Sequence, residues 1–232
     1  MKYSQENLAC LLAALGDPAQ AATPAEVWGQ TEYFRPETWR RGWPNGLHLP
    51  GFLQRPDKVL KVSRRRLFEL GENIDTVEDA VSFYTAVCAW GAGTNGQQTY
   101  RCLKPLFDPH APIKLLHGLQ SASASGADGG YALFNHGGPS KIKGLGPAFF
   151  TKLLYFAAGQ PSPADTRHPL ILDSRVAFSL GWKVTGSWPI SDYSRYLDLV
   201  EQVHKFWRPD LPTDVIEFTL FYAGGIRNAP SI

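Results

Sequence analysis

The segment from residue 140 to residue 178 constrains the fold of this chain more than any other part of the sequence. It contains a Gly144-Leu145-Gly146-Pro147 turn that runs directly into an apolar stretch, Ala148 to Gly159, typical of a buried helix. A Gly-x-Gly turn with proline at the first helical position leaves the first N–H groups of that helix unpaired and directed outward. With the positive end of the helix dipole, these groups form a phosphate site that ignores base sequence. The alternative is an ordinary helical hairpin in which glycine serves close packing alone.

An aspartate follows this helix. After Gly159 a polar loop, 160–169, leads to an apolar run and then to Asp173-Ser174-Arg175-Val176 at the start of another helix. If that helix packs back on the hairpin, the Asp173 carboxylate lies within reach of a bound nucleic-acid backbone. The alternative is purely structural, because aspartate is favoured as a helix N-cap for its own sake.

The hairpin, the helix and the Asp173-Ser174-Arg175-Val176 motif together resemble the signature of the helix-hairpin-helix DNA glycosylase superfamily. That signature reads roughly Gly-Val-Gly, helix, Val-Asp-Thr-His-Val. The similarity covers about residues 140–222, since 192–200 and 214–221 resemble the helices that follow the catalytic aspartate in this superfamily. The pattern is most similar to the 8-oxoguanine glycosylase-like groups. The resemblance implies a mostly α, two-lobed helical fold with the active-site cleft between the lobes.

The resemblance also implies roles for individual residues. Asp173 would stabilise the positive charge that develops on the sugar as the N-glycosidic bond breaks. The implied contacts to DNA phosphates lie on the hairpin and beside the aspartate: Lys143, Gly144, Gly146, Ala148 and Arg175. A flipped-out base needs a pocket of aromatic faces and polar groups, for which the candidates are Trp28, Trp39, Trp43, Trp90, Gln97 and Phe149. Gln98 and Asn95 are further candidates for contacts to the base edge. For each aromatic candidate the alternative is a place in the hydrophobic core.

The sequence departs from the superfamily pattern in the lysine that bifunctional members use. Ala148 occupies the position at which those members carry the lysine that forms a Schiff base and permits strand cleavage. Lys152 lies one helical turn further along the same face. We therefore expect a monofunctional hydrolase, with Lys152 as a catalytic residue only if the protein is bifunctional.

Two further departures concern spacing and the aspartate motif. Gly146 and Asp173 are 27 residues apart, which exceeds the usual separation, and the extra length falls in loop 160–169. Arg175 stands where the pattern commonly has histidine. A longer loop would suit a bulkier base, such as a hypermodified pyrimidine of phage DNA.

A basic segment lies between residues 35 and 66. It carries nine lysine and arginine residues against two acids, a local net charge of +7, so the rest of the chain carries about −5 of the overall +2. Aromatic residues interleave the cluster, and such a patch attracts polyanions. The alternative is a solvated loop whose arginines pair with acids elsewhere.

The remaining pattern predicts helices joined by Pro/Gly loops. Thr23 is a predicted N-cap for a helix that opens at Pro24, and Thr76 opens a capping box for a helix that continues through Trp90. Further helices are predicted at 3–15, 97–107 and 111–119. Four prolines argue against a helix in 35–60, and the small, polar composition of 120–140 predicts a mobile loop or connector.

We predict one glycosylase-like unit over residues 1–232. It would comprise a helical lobe, 1–120, which contains the basic loop 35–66, then a flexible connector, 121–139, and a lobe, 140–232, that carries the hairpin and the catalytic aspartate.

Composition limits the function classes. Hydrophobic residues make up 44% and charged residues 19% of the chain, a balance typical of globular proteins rather than of disordered or membrane proteins. The three cysteines are scattered and fit neither a disulfide framework nor a metal cluster. We therefore expect no metal and no cofactor, and we expect a cytoplasmic monomer; the resemblance implies double-stranded DNA as the partner.

The leading hypothesis is a DNA glycosylase that flips out and excises a damaged or modified base, with 8-oxoguanine suggested by the resemblance alone. The alternatives are a glycosylase that removes a hypermodified base of phage DNA in antiviral defence, a non-catalytic hairpin module that only binds DNA, and a small-molecule enzyme with a coincidental hairpin. The last alternative leaves the basic segment unexplained.

Overall fold

The computed structural model describes residues 2–183 and 187–227, and its fold is mostly α-helical. The helices of this part of the chain are α1 (Lys2–Leu15), α2 (Pro24–Gly29), α3 (Pro36–Arg41), α4 (Arg64–Gly71), α5 (Val77–Ala92), α6 (Gly96–Leu103), α7 (Ala111–Phe134), α8 (Pro147–Ala157), α9 (Ser174–Ser179), α10 (Ile190–Trp207) and α11 (Asp214–Arg227). Two short strands, β1 (Thr31–Phe34) and β2 (Leu60–Ser63), pair in antiparallel fashion. The predicted fold class, mostly α, is confirmed.

Two predicted helix starts are confirmed by their caps. Thr23 accepts a hydrogen bond from the N–H of Glu26, and the Glu26 carboxylate accepts one from the N–H of Thr23 at 2.7 Å. Thr76 and Asp79 form the same reciprocal pair at the start of α5. Each box satisfies backbone donors that a helix N-terminus otherwise leaves unpaired.

Two predictions of irregular chain are wrong. Residues 35–60 contain α3, which begins at Pro36, because proline at the first helical position loses no hydrogen bond. The predicted flexible connector, 121–139, is helical as far as Phe134, since α7 runs from Ala111 to Phe134 with one non-helical residue, Gly126 (φ 65°). Alanine and serine tolerate a helix once its apolar face packs, and α7 packs on α5 and α8.

The helix that follows Asp173 is held in place by the C-terminal helix. A Cβ atom on Gly224 would lie 2.2 Å from the Arg175 carbonyl oxygen, so only glycine allows α11 to approach α9 this closely. Helix α1 also contacts both α9 and α11. Because α9 has only six residues, it depends on these neighbours for its stability.

Arg64, a residue of the basic segment, is fully buried. Its guanidinium donates to Glu217 at 2.7 Å and to the Gln30 side chain at 2.7 Å, and it lies 3.3 Å from the Tyr155 hydroxyl. These contacts connect α4, α8, α11 and the residue before β1. Removing one partner of such a pair leaves an uncompensated buried charge, so the network constrains how these elements pack.

In the stretches 2–183 and 187–227, every helix is too short or too polar to cross a lipid bilayer.

Candidate active site

Asp173 caps a helix with one carboxylate oxygen and contacts Lys152 with the other. As the N-cap of α9, its Oδ1 accepts hydrogen bonds from the N–H groups of Arg175 and Val176 at 3.0 and 3.2 Å. Its Oδ2 instead lies 2.9 Å from Lys152 Nζ. The cap fixes the rotamer of the carboxylate and leaves Oδ2 directed away from α9. The two sequence-based interpretations of Asp173, cap and site residue, are therefore geometrically compatible.

Lys152 projects from α8 toward the aspartate. Its Nζ donates to the Asp173 carboxylate and to the Ala148 carbonyl oxygen at 2.8 Å, and it lies 5.7 Å from the centre of the Phe149 ring. The Lys152 and Asp173 side chains are 7% and 12% exposed. Burial alone would raise the pKa of Asp173, but the Lys152 ammonium and the two capping N–H groups outweigh it, so this pKa lies below its ordinary value. The carboxylate is thus ionised at neutral pH.

The hairpin has the local geometry that the sequence predicts. Gly144 adopts φ 88°, a left-handed conformation that side chains disfavour, and Gly146 is the N-cap of α8. The Gly146 carbonyl accepts from the N–H groups of Phe149 and Phe150, so the Ala148 N–H precedes the first helical hydrogen bond. Ile142 and Leu145 are buried and anchor the turn. The hairpin can therefore present backbone donors to an anion.

Two adjoining cavities meet at the Lys152–Asp173 pair. The first, here the hairpin cavity, has a volume of about 560 Å³ and is lined by the hairpin, α6 and Phe149. The second, the strand cavity, has a volume of about 330 Å³ and is lined by the start of β1, the end of α5 and Phe221. Both are bordered by the same five residues: Gly91, Gln98, Lys152, Asp173 and Ser174. The ionised carboxylate thus borders both cavities.

The predicted phosphate contacts distribute around this cleft. Gly144 and Ala148 line the hairpin cavity, and Arg175 lines the strand cavity, with its guanidinium 4.6 Å from the centre of the Phe221 ring. Lys143 is exposed on the hairpin, and Gly146 is partly exposed at the start of α8. Their role in DNA binding stays a prediction.

Two of the predicted base-pocket residues line the cleft. Phe149 borders the hairpin cavity, and Trp90 borders the strand cavity, although Trp90 is largely buried. Gly91 makes room beside them, because a Cβ atom there would lie 2.9 Å from the Phe149 ring.

The other four candidates lie elsewhere. Trp39 is fully buried in the hydrophobic core. Trp28 donates to the Asp214 carboxylate at 3.0 Å, Trp43 donates to a carbonyl of its own loop, and Gln97 is exposed outside both cavities. For these aromatic residues the packing alternative describes their place in this structure, because large rings fill cores more often than pockets.

The basic segment 35–66 does not border either cavity. Apart from the buried Arg64, several of its arginines pair with nearby carboxylates, namely Arg40 and Arg41 with Glu37, Arg55 with Asp57, and Arg66 with Glu69. This agrees with the alternative considered from sequence, in which arginines of this segment pair with acids. Besides Lys152, the cations that line the hairpin cavity are Arg101 and Lys104, both exposed. Sequence reasoning missed them, and their only signal was a basic pair at the end of a short predicted helix.

Sequence reasoning also missed Gln30 and Glu32 as lining residues. Gln30 and Glu32 reach the strand cavity because β1 pairs with β2 and passes beside the end of α5. Local patterns do not reveal such a pairing. Gln98, a sequence-based candidate for contacts to the base edge, borders both cavities.

The long loop 160–169 faces another part of the molecule. Arg167 pairs with Asp128 of α7 and Asp198 of α10 at 2.9 and 2.5 Å, and the loop borders a separate cavity of about 260 Å³. That cavity shares no lining residue with the hairpin or strand cavity. The extra loop length therefore does not enlarge the cleft at Asp173.

Within the described residues, no group of three or more histidine, cysteine, aspartate or glutamate side chains is arranged to hold a metal ion.

The chain was also compared with known proteins. The model of a protein family described as "OGG: Putative 8-oxoguanine DNA glycosylase OGG-like protein" matches residues 25–221. No curated protein and no solved structure matches.

Proposed function

We propose, from the premise that the chain belongs to the 8-oxoguanine DNA glycosylase OGG-like family, that it excises a damaged or modified base from double-stranded DNA. In this proposal the protein acts as a cytoplasmic monomer without a cofactor, hydrolyses the N-glycosidic bond and leaves an abasic site. The observation that carries the proposal is the position of the ionised Asp173 carboxylate, which borders the same cavity as the hairpin residues Gly144 and Ala148.

The chemistry of the bond explains why a carboxylate is needed there. Cleavage of an N-glycosidic bond develops oxocarbenium-like positive charge on the deoxyribose. A preorganised anion beneath the sugar stabilises that charge and orients or deprotonates the attacking water. Asp173 suits this role because its Oδ1 is fixed by two backbone N–H groups, its Oδ2 contacts Lys152, and the residue borders both cavities.

DNA binding would depend on the hairpin cavity. The backbone donors at the start of α8 would contact one phosphate, and the exposed Arg101 and Lys104 lie on the same cavity to neutralise its neighbours. Such contacts are independent of base sequence, so the affinity should fall as the salt concentration rises.

The role of Lys152 separates two reaction routes. In the first, a monofunctional hydrolase, Lys152 keeps Asp173 ionised and positioned, and water is the nucleophile; the alanine at position 148 favours this route. In the second, Lys152 passes a proton to the Asp173 carboxylate, and its free amine attacks the sugar C1′. The base leaves with the electron pair of the N-glycosidic bond and takes that proton. The C1′–O4′ bond then opens as a proton moves from the lysine nitrogen to O4′, which gives the Schiff base that permits strand cleavage. The 2.9 Å contact between Lys152 and Asp173 favours this second route, because it places the carboxylate where it can accept a proton from the amine.

A duplex-oligonucleotide assay tests the proposal. Duplexes that carry single lesions, among them 8-oxoguanine and hypermodified pyrimidines, are incubated with the protein and then heated in alkali. A glycosylase leaves alkali-labile abasic sites. If no duplex becomes labile although the protein still retains DNA, the chain is a non-catalytic binding module and the proposal fails.

Borohydride reduction decides between the two routes. A Schiff base is reduced to a covalent protein–DNA adduct, whereas hydrolysis by water gives none. The Lys152→Gln variant should lose any adduct, and Lys114→Gln, which alters a lysine of α7 paired with Asp108, serves as the matched control. An adduct that survives Lys152→Gln would exclude Lys152 as the nucleophile.

The identity of the base is the finer part of the proposal. The family description favours an oxidised guanine. Removal of a hypermodified phage base in antiviral defence stays an alternative, but loop 160–169 borders neither cavity at Asp173 and adds no room for a bulky base.

A further inference from the structure

The two cavities differ in charge, and this difference assigns them different parts of a nucleotide. The hairpin cavity contains Arg101, Lys104 and the hairpin, a set that attracts phosphate. The strand cavity contains the carboxylate of Glu32 and the guanidinium of Arg175, whose charges offset each other, so it lacks the excess positive charge of the hairpin cavity. It also contains two glutamines, Gln30 and Gln98, and the aromatic walls Trp90 and Phe221. A carboxylate repels phosphate but accepts hydrogen bonds from the N–H groups of a base. With the sugar at Asp173, the extruded base therefore enters the strand cavity.

Glu32 occupies a position that the fold itself does not favour. Its Oε2 lies 3.8 Å from the point that a Cβ atom on Gly93 would occupy, and Gly93 caps the C-terminus of α5. The C-terminal end of a helix carries partial negative charge, so a carboxylate there is unfavourable. In the described part of the chain, no hydrogen bond and no ion pair within 4 Å engages this carboxylate, and Arg175 acts on it only from a greater distance. The burial of Glu32 raises its pKa more than Arg175 lowers it.

Gln30 has a fixed orientation beside Glu32. Its Oε1 accepts a hydrogen bond from Arg64 Nε at 2.7 Å. A guanidinium group only donates, so this bond identifies the oxygen and leaves the Gln30 amide nitrogen as a donor. Arg64 is itself held by Glu217. The strand cavity thus offers Gln30 Nε2 as a positioned donor and Glu32 as an acceptor with two oxygens.

We propose that Glu32 is a specificity-determining residue that accepts hydrogen bonds from the N–H groups on the edge of the extruded base, an inference that rests on the proposed function. A base edge with one carbonyl beside two N–H donors matches the set, because the carbonyl accepts from Gln30 and both donors reach the carboxylate. This is the edge of 2-amino-6-oxopurines, the guanine type. A cytosine-type edge offers one exocyclic donor beside two acceptors, and a uracil-type edge offers a single ring donor. Selectivity at Glu32 therefore depends on the 2-amino group rather than on the oxidised position of the ring.

A pair of duplexes that differ only in that amino group tests the inference. Single-turnover excision is measured for 8-oxoguanine and for 8-oxohypoxanthine, which lacks the 2-amino group, with the native protein and with Glu32→Gln. We expect the native protein to favour 8-oxoguanine by about tenfold or more, the usual effect of one hydrogen bond to a charged group. Glu32→Gln should bring the ratio close to one. The control, Glu37→Gln, alters an exposed glutamate outside both cavities and should keep the native ratio.

Binding to a duplex with a tetrahydrofuran abasic analogue separates loss of recognition from loss of folding. The analogue has no base, so Glu32→Gln should bind it with unchanged Kd. If Glu32→Gln misfolds, Glu32→Asp retracts the carboxylate by one methylene and should narrow the preference for 8-oxoguanine. A variant that folds and keeps the native ratio overturns the inference.

The remaining outcomes distinguish this inference from the proposed function. If the native protein excises a base but shows no preference for the 2-amino purine, the glycosylase assignment stands and the assignment of Glu32 fails. If the native protein excises no base from any duplex, the proposed function fails and the inference fails with it.

Discussion

Replacement of Asp173 by asparagine isolates the charge of the carboxylate from its structural role. The asparagine oxygen can still accept hydrogen bonds from the N–H groups of Arg175 and Val176, and asparagine is as good an N-cap as aspartate. Helix α9 should therefore still begin at Ser174. What the variant loses is the negative charge beside Lys152 and under the sugar of a bound nucleotide.

The structure sets the expected magnitudes. Removing one partner of a buried ion pair costs about 3–5 kcal/mol, and we take about 3 kcal/mol because this pair borders an open cleft that water can enter. For a chain of this length that corresponds to a fall in Tm of roughly 6–12 °C. Loss of a preorganised charge in an active site lowers a rate by about 10²–10³-fold, so excision by Asp173→Asn should slow at least about 100-fold while DNA binding persists.

Excision kinetics and thermal denaturation on the same preparations test these values. The matched control is Asp17→Asn, because Asp17 is also an aspartate N-cap but lies on an exposed 3₁₀ helix. The folded pKa of Asp173 lies below its unfolded value, so its stabilising contribution is present above about pH 4. It is lost as the pH falls through the lower folded value. The difference in Tm between the native protein and Asp173→Asn should thus be constant from about pH 5 to 8 and close in more acidic solution. Excision at the native rate by Asp173→Asn would refute the catalytic assignment, and an equal loss in Asp17→Asn would show that the effect is not local.

Three further predictions concern the scaffold. Asp214→Asn should raise Tm at pH 7, because burial raises the pKa of Asp214 despite its hydrogen bonds, so that ionisation of this carboxyl group destabilises the folded state. The gain in Tm should vanish below about pH 4, where the carboxyl group is protonated in both states. A gain of the same size at pH 3 would contradict the reasoning. Arg64→Met should lower the free energy of unfolding by about 3–5 kcal/mol, because it leaves the Glu217 carboxylate buried without its partner. The double variant Arg64→Met/Glu217→Leu should lose less. Urea denaturation measures both, and a double-variant loss equal to the sum of the two single-variant losses would contradict the buried pairing. Gly144→Ala should lower the free energy of unfolding by about 1–2 kcal/mol, because alanine disfavours the left-handed conformation of Gly144. It should also weaken duplex binding, as measured by fluorescence anisotropy. Unchanged affinity would exclude a role for the hairpin in DNA binding.

Local signals were enough to predict parts of the chain where neighbours in sequence determine the structure. The capping boxes at Thr23 and Thr76 are complete within four residues, so they are visible without a fold. The hairpin is similar, because a glycine at 144 and a proline at 147 fix the turn and the start of α8. Asp173 was identifiable for the same reason, as the cap of the helix that follows.

The parts that sequence could not predict depend on packing between distant segments. Lys152 lies on the expected face of α8, but its contact with Asp173 requires α9 to be held against α8 by the rest of the fold. Glu32 enters the strand cavity only because β1 pairs with a strand some thirty residues away. Arg64 was counted from sequence as part of a basic, DNA-attracting segment, but its side chain is buried against Glu217, a partner that lies 153 positions along the chain.

The attachment of loop 160–169 to α7 and α10 has a practical consequence. Arg167 anchors the end of this excursion on a part of the surface that does not border the cleft at Asp173. Residues 162–164 are exposed and belong to neither helix nor strand, and exposed loop tips tolerate inserted residues well. A fluorescent label or an affinity peptide inserted there should leave base excision unaffected. The number of residues between the hairpin and Asp173 can therefore vary without moving either of them.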